Sequence, residues 1–361
     1  MKKTVDVSLP IGPVHPVFKE PCRIKCEMRG EHVISAELEL GYVKKGIERI
    51  MVGRPWQEVM FLAERVCGIC SVIHNYVCIE TMERINDIPV PDRAAYLRLV
   101  VNELDRIQSH LLANYSYCYT IEHETLAMYL LNLRETSVDA LELITGARIT
   151  CSYIIPGGVR FDLTKEKENA LRIMLDHIDS ELTRFVHMFE GGSMIALRSK
   201  DVGNFTREEA IESHSVGPTA RASNRDNDCR LFHPIYKKLG FESVLLDDGD
   251  NYARIMLRFL EVFQSTKLIR SCLAQMEPGT IRGGGVIGEG VAKWSGEAPR
   301  GELTYDISTD EFGRVKKIGI RTPSIMNIEA CAHYMLTGVD SAADVTSTYI
   351  SSDPCIACNE R

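Results

Sequence analysis

Between residues 22 and 41 apolar and polar side chains alternate. Ile24, Cys26 and Met28 fall on one side against Arg23, Lys25, Glu27 and Arg29, and beyond Gly30 the residues Ile34, Ala36, Leu38 and Leu40 oppose Ser35, Glu37 and Glu39. A period of two predicts a β-hairpin with one buried face. Ahead of it, Leu9–Pro16 carries Pro10, Pro13 and Pro16 and is expected as an ordered loop. The period then lengthens. Leu97, Val100, Val101, Leu104, Ile107 and Leu111 recur at three and four residues after Pro91-Asp92. Similar stripes run through Leu126, Leu130 and Leu133, through Met174, Ile178, Leu182 and Phe185, and through Met256, Leu257, Leu260 and Phe263. Four long amphipathic segments predict a central bundle of helices behind a small N-terminal antiparallel β-sheet, an α+β class that is mainly helical. Residues 1–50 form the β-rich part and 51–361 the helical core. The two are expected to make one interwoven domain, because the end of the chain must return to residues 60–75.

Composition narrows the classes. The 361 residues are 45% hydrophobic and 25% charged, enough for a sizeable core. Apolar runs of about 18 residues are absent, so nothing is expected to span a bilayer. The start, Met1–Asp6, has no apolar run behind its lysines and does not read as a signal peptide. A net charge of −8 gives no general basis for nucleic-acid binding. The glycines at 283–285 and 288–290 lack the Lys-Ser/Thr and the following helical pattern of a phosphate loop.

Chemistry enters through cysteine. Of twelve, two pairs stand at CxxC spacing: Cys67-Gly68-Ile69-Cys70 and Cys355-Ile356-Ala357-Cys358. Together they offer four soft ligands, but they lie almost a whole chain apart, unlike the ~15–20 residues of a local zinc module. A metal site built by the fold is expected, with structural zinc open from spacing alone. On a helix, Cys67, Cys70 and His74 would share a face, making His74 a ligand or a hydrogen-bond donor to a thiolate. Asp353-Pro354 reads as N-cap and first residue of a helix carrying Cys355 in its first turn, where a thiolate is favoured. The other eight cysteines read as small buried hydrophobes.

The flanks decide between metals. Arg65-Val66-Cys67-Gly68-Ile69-Cys70 and Asp353-Pro354-Cys355-Ile356-Ala357-Cys358-Asn359-Glu360-Arg361 resemble the two signature motifs of the nickel–iron hydrogenase large subunit, in order and at the expected ends. Gly12–Pro16, Gly41–Glu48, Val216–Arg221 and Glu297–Leu303 resemble the membrane-bound, energy-converting branch related to the quinone-site subunit of complex I. The compact length and Arg361 favour its Ech type, found in methanogenic archaea and some bacteria. The resemblance implies a large-subunit fold. Cys67 and Cys355 would be terminal nickel ligands, and Cys70 and Cys358 would bridge nickel to an iron carrying CO and cyanide. H₂ would be made or split heterolytically, the base being the Cys355 thiolate or the Arg300 guanidinium. Glu20 would relay protons, and Asp353 would hold Arg300 as a bidentate partner.

Three features depart from or extend the pattern. Ser109 stands where many relatives have aspartate. Glu48 matches a ligand of an additional magnesium or iron site, whose usual histidine partner is replaced by Arg361. The sequence ends at Arg361, where family precursors carry an extension removed after nickel insertion, so this is either a mature form or a gene needing no such step. No further motif would hold an iron–sulfur cluster. The resemblance therefore implies a small subunit with a [4Fe–4S] cluster, a ferredoxin-like electron-transfer subunit, ferredoxin as donor, and integral membrane subunits moving protons or sodium ions, with this chain at the cytoplasmic membrane face. Two rivals remain: a quinone-reducing or coupling subunit of a complex-I-like machine, marked by loss of the four cysteines, and a four-cysteine zinc scaffold.

Overall fold

The computed structural model of the protein describes residues 6–361; the start at Met1–Val5 lies outside them. The alternating segment forms strands Arg23–Arg29 and His32–Glu39, paired antiparallel. Ile24, Cys26 and Met28 are buried. The returning strand differs from expectation at one position. Its register slips between Glu27 and Met28, so Cys26 faces Ala36 while Met28 faces Val33. This bulge turns Val33 inward and leaves Ile34 exposed. A second correction concerns the proline-rich segment. Asp6–Ile11 is an edge strand against Arg23–Arg29, with Leu9 opposite Cys26 and Ile11 opposite Ile24. Pro10 is tolerated there because an edge strand need not donate at every position.

The four stripes lie in helices Asp92–Thr120, Glu124–Thr145, Lys165–Gly191 and Asn251–Gln275. Three begin on side-chain caps: His123 Nδ1 accepts from the Leu126 amide, Thr164 Oγ1 from the Lys167 amide and the Asp250 carboxylate from the Ala253 amide. The 165–191 helix buries a single stripe, from Leu171 to Phe189. By contrast, the 92–120 helix is buried nearly all round, packed between the 124–145 and 251–275 helices. A helix so enclosed must pair its charges internally. Arg98 forks onto Glu83 at 2.9 and 2.6 Å, Arg106 pairs with Glu103, and His110 Nε2 lies 2.8 Å from Glu261. Beside them, Arg221 reaches Glu261, Glu297 and Asp228 at 2.7, 2.7 and 3.2 Å.

Strands Gly290–Ala298, Gly301–Thr309 and Val315–Arg321 form a second antiparallel sheet, which the helical periodicity did not announce. Leu303, Tyr305 and Ile307 alternate into its buried face, against the helix Ser71–Ile85. Gly288–Gly290 thus leads into a strand. The architecture is α+β and mainly helical, with small antiparallel sheets. No helix among the described residues is long and apolar enough to cross a membrane.

Candidate metal centre

Both CxxC segments curl around their first sulfur. Cys67 Sγ accepts from the amides of Ile69 and Cys70, each at 3.4 Å, and Cys355 Sγ from the amide of Cys358 at 3.4 Å. Two expectations change here. Cys67 stands in the turn before the 71–85 helix, whose N-cap is Cys70, so only Cys70 and His74 share the helix. At the other end, Cys355 itself caps the helix Ile356–Asn359, and Asp353 sits outside it at a left-handed φ of 52°. With sulfur in the capping place, the Asp353 carboxylate is free to turn back onto cationic neighbours.

The fold brings the two ends of the chain together. Cys67 Sγ lies 3.1 Å from Cys70 Sγ and 3.6 Å from Cys355 Sγ. Cys358 Sγ is within 4.8 Å of Cys67, of Cys355, of Cys70 and of His74. All four cysteines are buried. Sulfurs bound tetrahedrally at about 2.3 Å from one metal would stand about 3.8 Å apart, so this donor set fits a thiolate-bound metal centre. Hydrogen bonds from Cys355, Cys358 and Cys70 draw the Cys67 thiol well below its ordinary value, while bonding to Cys67 and burial push Cys70, Cys355 and Cys358 well above theirs.

His74 is held at about 4 by burial, so its imidazole is neutral. Nδ1 meets the Tyr305 hydroxyl at 2.9 Å and Nε2 faces Cys358 Sγ at 3.6 Å. If Nδ1 accepts from Tyr305, Nε2 carries a proton aimed at that sulfur. The sulfur it meets is that of Cys358, across the fold, and not that of Cys70 one turn away.

Arg300 sits in the turn joining strands 290–298 and 301–309. Its backbone is pressed against Gly217: a Cβ there would come within 2.2 Å of the Arg300 carbonyl oxygen. From that fixed point Nε donates to the Asp353 carbonyl at 2.9 Å and Nη2 to Asp353 Oδ1 at 3.0 Å, while Nη1 reaches Ser109 Oγ at 3.4 Å and Cys70 Sγ at 3.9 Å. The expected carboxylate fork is therefore half backbone, and Ser109 takes part. Burial alone would raise the Asp353 carboxyl, but Arg300, Lys19 and Arg258 outweigh it and hold it at about 2. Lys19, which the sequence reading passed over, donates to Asp353 Oδ1 at 2.8 Å.

Glu20 Oε2 accepts from the Ala357 amide at 2.7 Å, inside the second CxxC segment. Glu48 lies apart from the sulfurs. Its Oε1 accepts from the Ile320 amide at 2.8 Å and from Arg361 Nε at 3.2 Å, so the guanidinium that replaces the usual histidine pairs with this carboxylate. Besides Lys19, the residues missed were Tyr305 and Ser324, whose Oγ takes the Cys355 amide at 3.1 Å. Only Lys19 carried a signal, as a cation beside Glu20 in a proline-bounded segment.

The chain as a whole is similar to known proteins. Residues 45–119 match the family model described as nickel-dependent hydrogenase, and residues 121–285 that of the respiratory-chain NADH dehydrogenase 49 kDa subunit. The carbon monoxide-induced hydrogenase of Rhodospirillum rubrum is 33% identical over 98% of this chain and 99% of its own. The membrane-bound hydrogenase subunit alpha of Pyrococcus furiosus is 33% identical over 98% of this chain and 87% of its own. Among solved structures, a chain of the membrane-bound sulfane sulfur reductase, an archaeal respiratory membrane complex, superposes with a TM-score of 0.93 at 25% identity, over 100% of both chains. The chain belongs to the nickel–iron hydrogenase large-subunit family, in the membrane-bound branch related to the 49 kDa subunit of complex I.

Proposed function

We propose that this chain is the catalytic subunit of a membrane-bound, ferredoxin-linked [NiFe] hydrogenase that interconverts protons and H₂. The observation that carries the reading is the buried cluster of all four cysteines, with Arg300 beside it. Cys67, Cys70, Cys355 and Cys358 would together hold nickel and an iron that carries CO and cyanide. Bound there, the metal pair would supply the redox and Lewis-acid chemistry of heterolytic H₂ cleavage.

The remaining steps belong to the chain's own residues. A guanidinium paired with a carboxylate does not give up its proton, so Arg300 serves to fix charge beside the site, and the Cys355 thiolate is the base. Glu20, whose carboxylate takes the amide of Ala357 two residues after Cys355, would pass that proton outward. His74 steadies the Cys358 sulfur. Asp353 and Lys19 hold Arg300 in place.

Electrons need a partner. Among the described residues, clusters of metal-binding side chains occur only at this site, which supports a small subunit with its own [4Fe–4S] cluster. Phe61 and Ile149, 41% and 39% exposed, flank the Cys67–Cys70 turn and suit such a docking face. A ferredoxin-like subunit, ferredoxin, and integral membrane subunits coupling the reaction to proton or sodium-ion movement complete the proposed complex, with this chain on its cytoplasmic side.

Metal analysis of the anaerobically purified complex tests the reading. Nickel near one per chain, with iron and infrared bands of metal-bound CO and cyanide, is the expected result. Zinc alone would refute it. A nickel-free preparation active with quinone would favour the complex-I-like alternative, which the match at residues 121–285 supports.

A further inference from the structure

Neither CxxC segment is held only by its own end of the chain. The Ile356–Asn359 helix has four residues, too few to stand without outside contacts. Something must hold the two turns in register, and residues 41–48 touch both. Toward the C-terminus, the Glu360 carboxylate accepts from the Gly41 amide at 2.6 Å and the Val43 amide at 2.7 Å. The Glu360 carbonyl accepts from the Lys45 amide at 3.2 Å. Toward the first pair, Lys45 Nζ donates to the carbonyls of Val66 at 2.5 Å and Arg65 at 3.3 Å, immediately before Cys67. At the far end of the segment, Glu48 takes Arg361. Gly41 has a φ of 113°, a conformation that turns its amide onto the carboxylate and that other residues rarely adopt. Glu360 is only 6% exposed, so its charge is met by these two amides and not by water.

We infer that residues 41–48 act as a clasp that sets the two cysteine pairs against each other, with Glu360 and Lys45 as its positioning residues. Lys45 is the joint: its amide serves one half of the site and its ammonium the other. The inference rests on the reading that the four cysteines share one centre, but not on which metal fills it.

The test is cysteine reactivity in the purified complex. A short pulse of N-ethylmaleimide under anaerobic conditions is followed by peptide mass spectrometry of Cys67, Cys70, Cys355 and Cys358. Cys78, Cys118 and Cys272, buried elsewhere, report global opening. Glu360→Gln keeps one acceptor oxygen and sets an NH₂ group against an amide. It should raise labelling of Cys355 and Cys358 at least fivefold, with the three reference cysteines unchanged. Lys45→Met removes only the ammonium contacts of an exposed residue and should do the same for Cys67 and Cys70. It also carries the test if the Glu360 variant does not assemble. A rise below fivefold, or one matched by the reference cysteines, overturns the clasp. Metal analysis of the same samples is read separately: zinc there would refute the hydrogenase, while the labelling would still decide the clasp.

Discussion

Replacing Glu20 by glutamine separates two jobs that one carboxylate could do. In the structure Glu20 Oε2 accepts from the Ala357 amide at 2.7 Å, so the side chain helps hold the second cysteine turn. Glutamine has nearly the same shape and its carbonyl oxygen can still take that amide. The bond weakens from charge-assisted to neutral, a loss of about 1 kcal/mol. Metal content and the infrared spectrum should therefore stay as they are. A proton relay is affected far more strongly, because an amide cannot take up and release a proton at neutral pH. Loss of a positioned acid–base group typically costs about 10²- to 10⁴-fold, or roughly 3–5 kcal/mol on the barrier. We expect Glu20→Gln to slow exchange between D₂ and solvent protons, followed by membrane-inlet mass spectrometry, and hydrogen evolution from reduced ferredoxin, each by at least 10²-fold. Full exchange in an enzyme with intact metal would remove Glu20 from the proton path. If metal were lost instead, the bond to Ala357 would be the main role of Glu20.

Three further outcomes follow from the geometry. Arg300→Lys keeps a charge but cannot reach the Asp353 carbonyl, its carboxylate and Ser109 together; turnover should fall about 10²-fold with metal retained, and normal turnover would make the guanidinium merely structural. Arg221→Met leaves Glu261, Glu297 and Asp228 buried with one fewer cation. It should cost about 3–5 kcal/mol in denaturant unfolding, and a loss under 1 kcal/mol would contradict the charge pairing described. Burial pushes the Asp105 carboxyl up to about 8, against an ordinary value near 4, so it is protonated in the folded protein at neutral pH. Its contribution to stability is thus greatest below the ordinary carboxyl range and declines as pH rises toward 8, by up to ~1.4 kcal/mol per pH unit. Asp105→Asn should flatten that decline between pH 5.5 and 8, and equal slopes in both proteins would count against it.

How much of this was legible depended on whether a signal was local. The CxxC pairs could be read because each is a four-residue unit marked by its own spacing, and the residues that narrow the metal lie directly beside it. The hairpin at 23–39 could be read because its alternation is continuous, and it failed at Ile34 because a bulge adds one residue without changing composition. Lys19 showed only as a cation beside Glu20, and its role was not legible: its partner Asp353 lies 334 residues away. The strand 301–309 is a different case. Leu303, Tyr305 and Ile307 alternate with polar residues plainly enough, but helical stripes dominate the rest of the chain and drew the reading toward a bundle alone.

The 92–120 helix shows why the site's surroundings stayed hidden. Its apolar stripe predicted a helix with one face inside and one in water, yet nearly every position is buried. The polar residues within it have a helical order of their own. Glu103, Arg106 and His110 recur at three and four residues, and Asp105, Gln108 and Ser109 stand three and four residues apart. At about 100° per residue, positions 103 and 105 point about 200° apart. One set meets Glu261 and the cations around Arg230, and the other faces the Cys67–Cys70 turn through Gln108 and Ser109. A polar residue at helical spacing is ordinarily assigned to solvent. When two such sets lie on opposite sides of a helix that also carries a full apolar stripe, no side remains for water. That conflict was present in the sequence, and it marks a helix whose charged side chains are paired inside the protein, with the metal centre on one side of it.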